Sequence, residues 1–217
     1  MAVGEAVDPL GTPALGQPVR RVRRVLSHNA SPVSGDVRLR CAWAGSTADY
    51  LTYHDTEWGV ELRGDDALFE RVSLEAFQSG LSWLTILRKR EAFRTAFSRF
   101  VIADVAGFDD SDVARLMTDA GIVRNRAKIH ATIGNARAAR ELPNGLSELL
   151  WSFAPEGKVA RPASSADVPA TSSESVAMAK ELKRRGFAFV GPTTAYALMQ
   201  ATGMVDDHVA DCWRAGR

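Results

Sequence analysis

Apolar positions recur along this chain at the three-and-four spacing of helices, and the two-residue alternation of strands is nearly absent. Leu68, Phe69, Val72, Leu74, Ala76 and Phe77 mark one helix that Asp65 or Asp66 can cap and that ends near Gly80. Ser82 can cap the next, which carries Leu84, Leu87, Phe93 and Phe97 on its apolar side. A short helix opens at Asp109 or Ser111 and runs through Val113, Leu116 and Met117. Residues 124–141 predict a longer basic helix and 146–153 a short apolar one. The stretch 155–170, rich in Pro, Ala and Ser, reads as a surface connection. Thr171 with Glu174 fits a capping box for a helix ending at Gly186. Another helix covers 192–202, and a last one is expected from near Asp206. The predicted class is all-α.

Residues 1–39 follow another pattern. They contain Pro9, Pro13, Pro18 and Pro32, several glycines and no aromatic residue, which predicts a flexible tail. Arg20, Arg21, Arg23 and Arg24 within it can touch phosphate or simply be solvated. The folded domain is expected over 40–213, with 214–217 as its C-terminal end.

Across 217 residues, 46% hydrophobic and 24% charged composition excludes full-length disorder. A formal charge of +1 excludes binding of polyanions by bulk charge and leaves room only for a local basic face. No run approaches the ~18 apolar residues of a membrane span, and the N-terminus lacks an apolar secretory core. Two cysteines are too few for a disulfide framework, so a reducing, cytoplasmic setting is expected. Two thiols suit a disulfide or half of a tetrahedral metal site.

Chemistry-bearing residues concentrate in four places. Of the chain's eight Trp and Tyr residues, five lie between Cys41 and Trp83: Trp43, Tyr50, Tyr53, Trp58 and Trp83. They alternate with polar groups in Tyr53-His54-Asp55-Thr56-Glu57-Trp58-Gly59, which fits an aromatic pocket for a flat ligand better than a plain core. Glu75 sits among apolar neighbours near a helix end; it faces solvent, or it faces the pocket and requires a ligand with donors or positive charge. His208 and Cys212 are four apart, so a helix would aim both at one point, and Cys41 with His54 completes the ligand types of a closed zinc site. By spacing alone, a free thiol and a structural histidine remain the alternative. Finally, Lys183-Arg184-Arg185-Gly186 precedes Phe189-Val190-Gly191-Pro192 and a new helix. This is either a plain helical corner or a place where backbone N–H groups and positive charge meet phosphate.

Taken together the segments resemble a known family. Cys41-Ala42-Trp43, Tyr53 through Gly59, Leu74-Glu75 with Gly80-Leu81-Ser82-Trp83, Ala120 through Arg124, Ile133-Gly134-Asn135-Ala136, Arg185-Gly186-Phe187 with Phe189-Val190-Gly191, and Asp207-His208-Val209 with Cys212 occur in order. The chain from about Arg40 to Trp213 is similar to the bacterial 3-methyladenine DNA glycosylase I family of the helix-hairpin-helix superfamily. The resemblance implies a structural Zn2+ on Cys41, His54, His208 and Cys212. It implies that Glu75 hydrogen-bonds the excised base, that Tyr53 and Trp83 bracket it, and that Tyr50, Trp58 and Trp43 line the pocket. Leu81 would be a wedge in DNA, and Arg184, Arg185, Gly186 and Gly191 would meet the DNA backbone. The implied partner is double-stranded DNA with alkylated bases, met by a monomer that needs no membrane. The implied activity is hydrolysis of the N-glycosidic bond of 3-methyladenine without strand cleavage.

Two rival readings are a non-catalytic sensor of alkylated DNA and a redox protein using Cys41 and Cys212 as a thiol pair. One departure stands out. Val205-Asp206-Asp207-His208 has Asp where this subfamily commonly has Asn, and related glycosylases carry a catalytic Asp there. Asp206 is then a helix cap, or it assists catalysis and broadens the substrate range.

Overall fold

A side-chain oxygen at the N-cap, from Thr47, Ser82, Asp109, Asn125 or Ser172, sets the start of five helices. In the computed structural model, which describes residues 37–157 and 160–216, nine α-helices occur among the described residues and no strand. They are α1 (Ala48–Thr56), α2 (Asp65–Gln78), α3 (Trp83–Ala96), α4 (Ile102–Ala106), α5 (Asp110–Thr118), α6 (Arg126–Arg140), α7 (Gly145–Trp151), α8 (Ser173–Arg184) and α9 (Pro192–Ala201). The all-α expectation therefore holds for the described residues. All of these lie in one compact unit, and the Arg-containing segment of the expected tail lies outside them.

Several capping expectations hold. Ser82 accepts from Thr85 N and starts α3, and Asp109 forms a capping box with Asp112 at α5. Others need correction. Gly64, at φ 93°, is the N-cap of α2, a conformation that Asp65 and Asp66 would adopt only with strain. Those two carboxylates serve tertiary contacts instead: Asp65 accepts from Ser147 N and Asp66 from Ile102 N, both at 2.8 Å. The capping box at α8 is one residue later than expected, because Ser172 and Ser175 exchange the two bonds assigned to Thr171 and Glu174. The helix expected from Asp206 is absent; residues 206–216 form turns. Helices α1 and α4 were not anticipated.

α2 is the central element, contacting α3, α6, α7 and α9. It buries nearly every residue from Leu68 to Phe77, so its mixed sequence is enclosed on all sides. Phe77, Phe93, Phe97 and Phe100 form a continuous ring ladder, with centroids 4.7 Å apart for Phe77–Phe93, 6.2 Å for Phe93–Phe97 and 5.5 Å for Phe97–Phe100. Reaching that ladder drives Ser98, Arg99 and Phe100 through three consecutive left-handed conformations, with φ of 49°, 52° and 57°. Burial of the Phe100 ring offsets the strain.

Phe97 is fully buried at the middle of the ladder. Phe97→Ala should cost about 3–5 kcal/mol in denaturant unfolding, since the helices around it can close only part of the void. A loss below about 1 kcal/mol would show that the ladder does not hold α2 against α3.

Candidate functional site

Helix α1 sets the site. Thr47 caps it by accepting from Tyr50 N, and its turns then place Tyr50, Tyr53 and His54 inward. Its hydrophobic stripe is faint because polar ligating and pocket-lining groups occupy the buried face, which is why periodicity did not reveal it. Tyr50, Tyr53, Trp43, Trp58, Glu75 and Trp83 line one cavity of about 330 Å3, a volume that suits a small flat molecule. The structure thus gathers all six predicted pocket residues.

Their arrangement departs from the expectation in one respect. A base held between two rings requires about 7 Å between them, twice a contact distance. The Tyr53 and Trp83 centroids are 5.5 Å apart with planes at 47°, so these rings touch and form one wall rather than the two sides of a slot. Val168, Ala197, Gln200, Ala201, Asp207 and Val209 also line the cavity.

Glu75 is the unusual group. It is 5% exposed, and no hydrogen bond to its carboxylate occurs among the described residues. Burial pushes its carboxyl up to about 7, with the positive charge of Arg71 opposing that rise. Arg71, missed from the sequence, lies one turn earlier on α2 and is also buried. Its Nη1 donates to Tyr53 Oη at 3.0 Å, and its Cζ sits 5.5 Å from the Tyr53 ring centroid and 5.4 Å from that of Trp83. Burial above all keeps the Tyr53 phenol protonated well beyond its usual range.

The second cluster adjoins this cavity. Ligand atoms of Cys41, His54, His208 and Cys212 all lie within 4.8 Å of one another, and all four residues are buried. Cys212 Sγ is 3.4 Å from His54 Nε2 and 3.6 Å from His208 Nδ1, and both cysteines are free thiols. The outward nitrogens are also committed: His54 Nδ1 lies 2.8 Å from Asp55 Oδ1 and His208 Nε2 lies 3.3 Å from Trp58 O. Asp55 is in turn held by Arg40 Nη2 at 2.8 Å and Trp213 Nε1 at 3.2 Å. Burial lowers both histidines, His208 to about 4 with His54 adding to the effect, so neutral rings face the centre. Two thiols and two neutral imidazoles with oriented far nitrogens are the donor set that holds zinc. Gly59, at φ 77°, leaves room for this: a Cβ there would lie 2.9 Å from His208 Nε2. His208 and Cys212 converge through a turn and not through the helix inferred from their spacing.

Trp43 and Trp58 join the two clusters. Their centroids are 5.2 Å apart, Trp43 is 5.2 Å from His54 and 5.5 Å from Tyr50, and Trp58 is 4.6 Å from His208. His54 and His208 therefore share contacts with two rings of the pocket lining.

Asp206 does not line the cavity. Its Oδ2 accepts from Arg161 Nε and Gly216 N, both at 2.8 Å, and its Oδ1 accepts from His208 N at 3.3 Å. Its neighbour Asp207 does line it, with Oδ2 accepting from Tyr196 at 2.8 Å and Gln200 at 2.7 Å, a role that its place in the sequence motif does not reveal. Leu81 is 42% exposed on the turn between α2 and α3. Buried Lys128 braces that turn by donating to Phe77 O at 2.9 Å and Ser79 O at 2.6 Å.

Between α8 and α9, Gly186 takes φ 92°, Gly191 is the N-cap and Pro192 opens α9. Asn135 of α6 clamps this hairpin through both its amide atoms, to Ala188 N at 2.8 Å and Ala188 O at 3.1 Å. Arg184 and Arg185 each pair with Glu181, at 2.6 and 2.8 Å.

Comparisons with known proteins give one answer. The methyladenine glycosylase family model matches residues 43–215. The DNA-3-methyladenine glycosylase 1 of Escherichia coli K12 is 45% identical over 177 residues, spanning 80% of this chain and 95% of that protein. The DNA-3-methyladenine glycosylase of Haemophilus influenzae is 40% identical, spanning 80% and 96%. A 3-methyladenine DNA glycosylase I structure from Staphylococcus aureus, described for its recognition of 3-methyladenine, is 35% identical with a TM-score of 0.78, covering 82% of this chain and 97% of its own. With the aromatic cavity, its buried carboxylate and the adjoining four-residue cluster inside the matched region, the chain belongs to the methyladenine glycosylase family.

Proposed function

We infer that this protein excises 3-methyladenine from alkylated DNA, the opening step of base excision repair. The observation that carries the reading is Glu75, a buried carboxylate without a hydrogen-bond donor in an aromatic cavity. A neutral apolar ligand would leave that carboxylate unpaired, whereas a cationic base with N–H groups supplies both what it lacks. Methylation at N3 gives adenine a positive charge, which favours contact with the Tyr53 and Trp83 ring faces by roughly 0.5–2 kcal/mol each.

The base must first leave the duplex stack, at a cost of a few kcal/mol. Leu81, on its braced turn, is placed to fill the gap, and the 186–191 hairpin with Arg184 and Arg185 is placed to hold the backbone. We read this hairpin as a helix-hairpin-helix element. Once the base is seated, the C1′–N9 bond breaks with its electron pair going to the base, which departs neutral. Water adds its oxygen to C1′ and releases a proton, leaving an abasic site. The lining of the cavity includes no lysine, which supports hydrolysis without strand cleavage. Asp206 acts as a turn cap, its side chain spent on Arg161, Gly216 and His208.

Zn2+ is proposed for Cys41, His54, His208 and Cys212, where it supplies cohesion and takes no part in bond breaking. It would tie residues at the start of the folded region to residues at its end, 158 positions apart for His54 and Cys212.

Two experiments test these readings. On methylated duplex DNA, the purified protein should release 3-methyladenine, with Glu75→Gln slower by about a hundredfold and Asp206→Asn within about twofold of wild type. Tight binding of methylated DNA with no base released would instead establish the sensor. Metal analysis should find one zinc per chain, and chelation or Cys212→Ala should lower the melting temperature by about 10 °C or more. A metal-free protein with unchanged melting would remove zinc from the account.

A further inference from the structure

Arg71 makes unusual use of a buried guanidinium. It is 8% exposed, yet the one hydrogen bond it makes among the described residues goes to a neutral phenol, Tyr53 Oη at 3.0 Å. Its nearest carboxylate, Glu57, is 3.8 Å from Nη2 and is already held by Arg90 Nη2 at 2.9 Å. Glu75 on the same helix makes no hydrogen bond to it. A guanidinium has donors and no acceptor, so the Tyr53 O–H cannot point back at Arg71. With its oxygen accepting there, the hydroxyl proton is left to donate away from the guanidinium, and Tyr53 is one of the residues lining the cavity.

We propose that Arg71 is a positioning residue of the base site: by donating to Tyr53 Oη, it fixes the Tyr53 hydroxyl as a donor toward the bound base. The inference rests on the base-excision reading of this cavity. Its chemical consequence is a matched pair of groups in one pocket, Tyr53 giving a proton and Glu75 accepting one. That pair reads a purine edge with an amino donor beside a ring-nitrogen acceptor, as the N6 and N7 edge of adenine presents. A 6-oxo purine offers two acceptors on that edge and sets an oxygen against the Glu75 carboxylate. The Arg71 guanidinium also neighbours both rings, with Cζ 5.5 Å from the Tyr53 centroid and 5.4 Å from that of Trp83.

A double-mutant cycle tests it, read as the dissociation constant of free 3-methyladenine from quenching of tryptophan fluorescence. Arg71→Met and Tyr53→Phe should each weaken binding about tenfold, and the double variant should be no weaker than about thirtyfold. Arg71→Lys, which restores a cation and a donor, should recover affinity to within about threefold of wild type, and in the Tyr53→Phe background it should change nothing. If Arg71→Met does not fold, the Arg71→Lys pair alone carries the comparison. A hundredfold, additive loss in the double variant, or an Arg71→Lys effect that persists without the Tyr53 hydroxyl, would overturn the role of Arg71. Wild-type protein that fails to bind 3-methyladenine would overturn the base-excision reading itself.

Discussion

The site depends on a carboxylate that folding buries in the cavity wall without giving it a hydrogen-bond donor among the described residues. Glu75 lies on the most enclosed helix of the fold, beneath aromatic rings, with only the charge of Arg71 to offset its burial. Such a group is costly in the empty protein and becomes useful when a ligand brings donors and positive charge. On the proposed reading, selectivity for a damaged, cationic base follows from the same physics that makes the empty pocket unfavourable. Ordinary bases lack the charge.

A pocket of this kind must be held open, because its apolar rings would otherwise collapse onto one another. Two constraints do so. α2 is wedged in the core by the phenylalanine ladder, which fixes Glu75 and Arg71. The cysteine–histidine cluster fixes α1 and the C-terminal turns, and through Trp43 and Trp58 it fixes the outer walls.

Much of this was legible in the sequence, for identifiable reasons. Caps with a side-chain acceptor and an apolar stripe, such as Ser82 and Asp109, were placed correctly because local chemistry decides them. Gly64 was missed as a cap because its role comes from a positive φ, which leaves no polar mark. α1 was missed because its buried face carries His54 and two tyrosines instead of aliphatic residues. The six pocket residues and four cluster residues were named and are brought together, but the mutual tilt of Tyr53 and Trp83 depends on packing that no spacing encodes. That Asp207 and not Asp206 lines the cavity is beyond sequence for the same reason: adjacent carboxylates differ only in which way the turn directs them. Arg71 and Glu75, four apart on an apolar stripe, were a readable signal, since a charge pair on a buried face demands a reason.

The claim that Glu75 is buried without a protein hydrogen-bond donor is tested most directly by comparing unfolding free energies of wild type and Glu75→Gln across pH. The folded protein keeps the Glu75 proton to about pH 7, whereas an ordinary glutamate releases it near 4.5, so between these values the folded state binds more protons and wild-type stability falls as pH rises. Glu75→Gln escapes that fall. The two proteins should match below about pH 4.5, and above pH 7 the variant should be the more stable by about 3 kcal/mol. A variant less stable than wild type at pH 8 would mean that Glu75 is well satisfied in the empty protein, and the account of the pocket would be wrong.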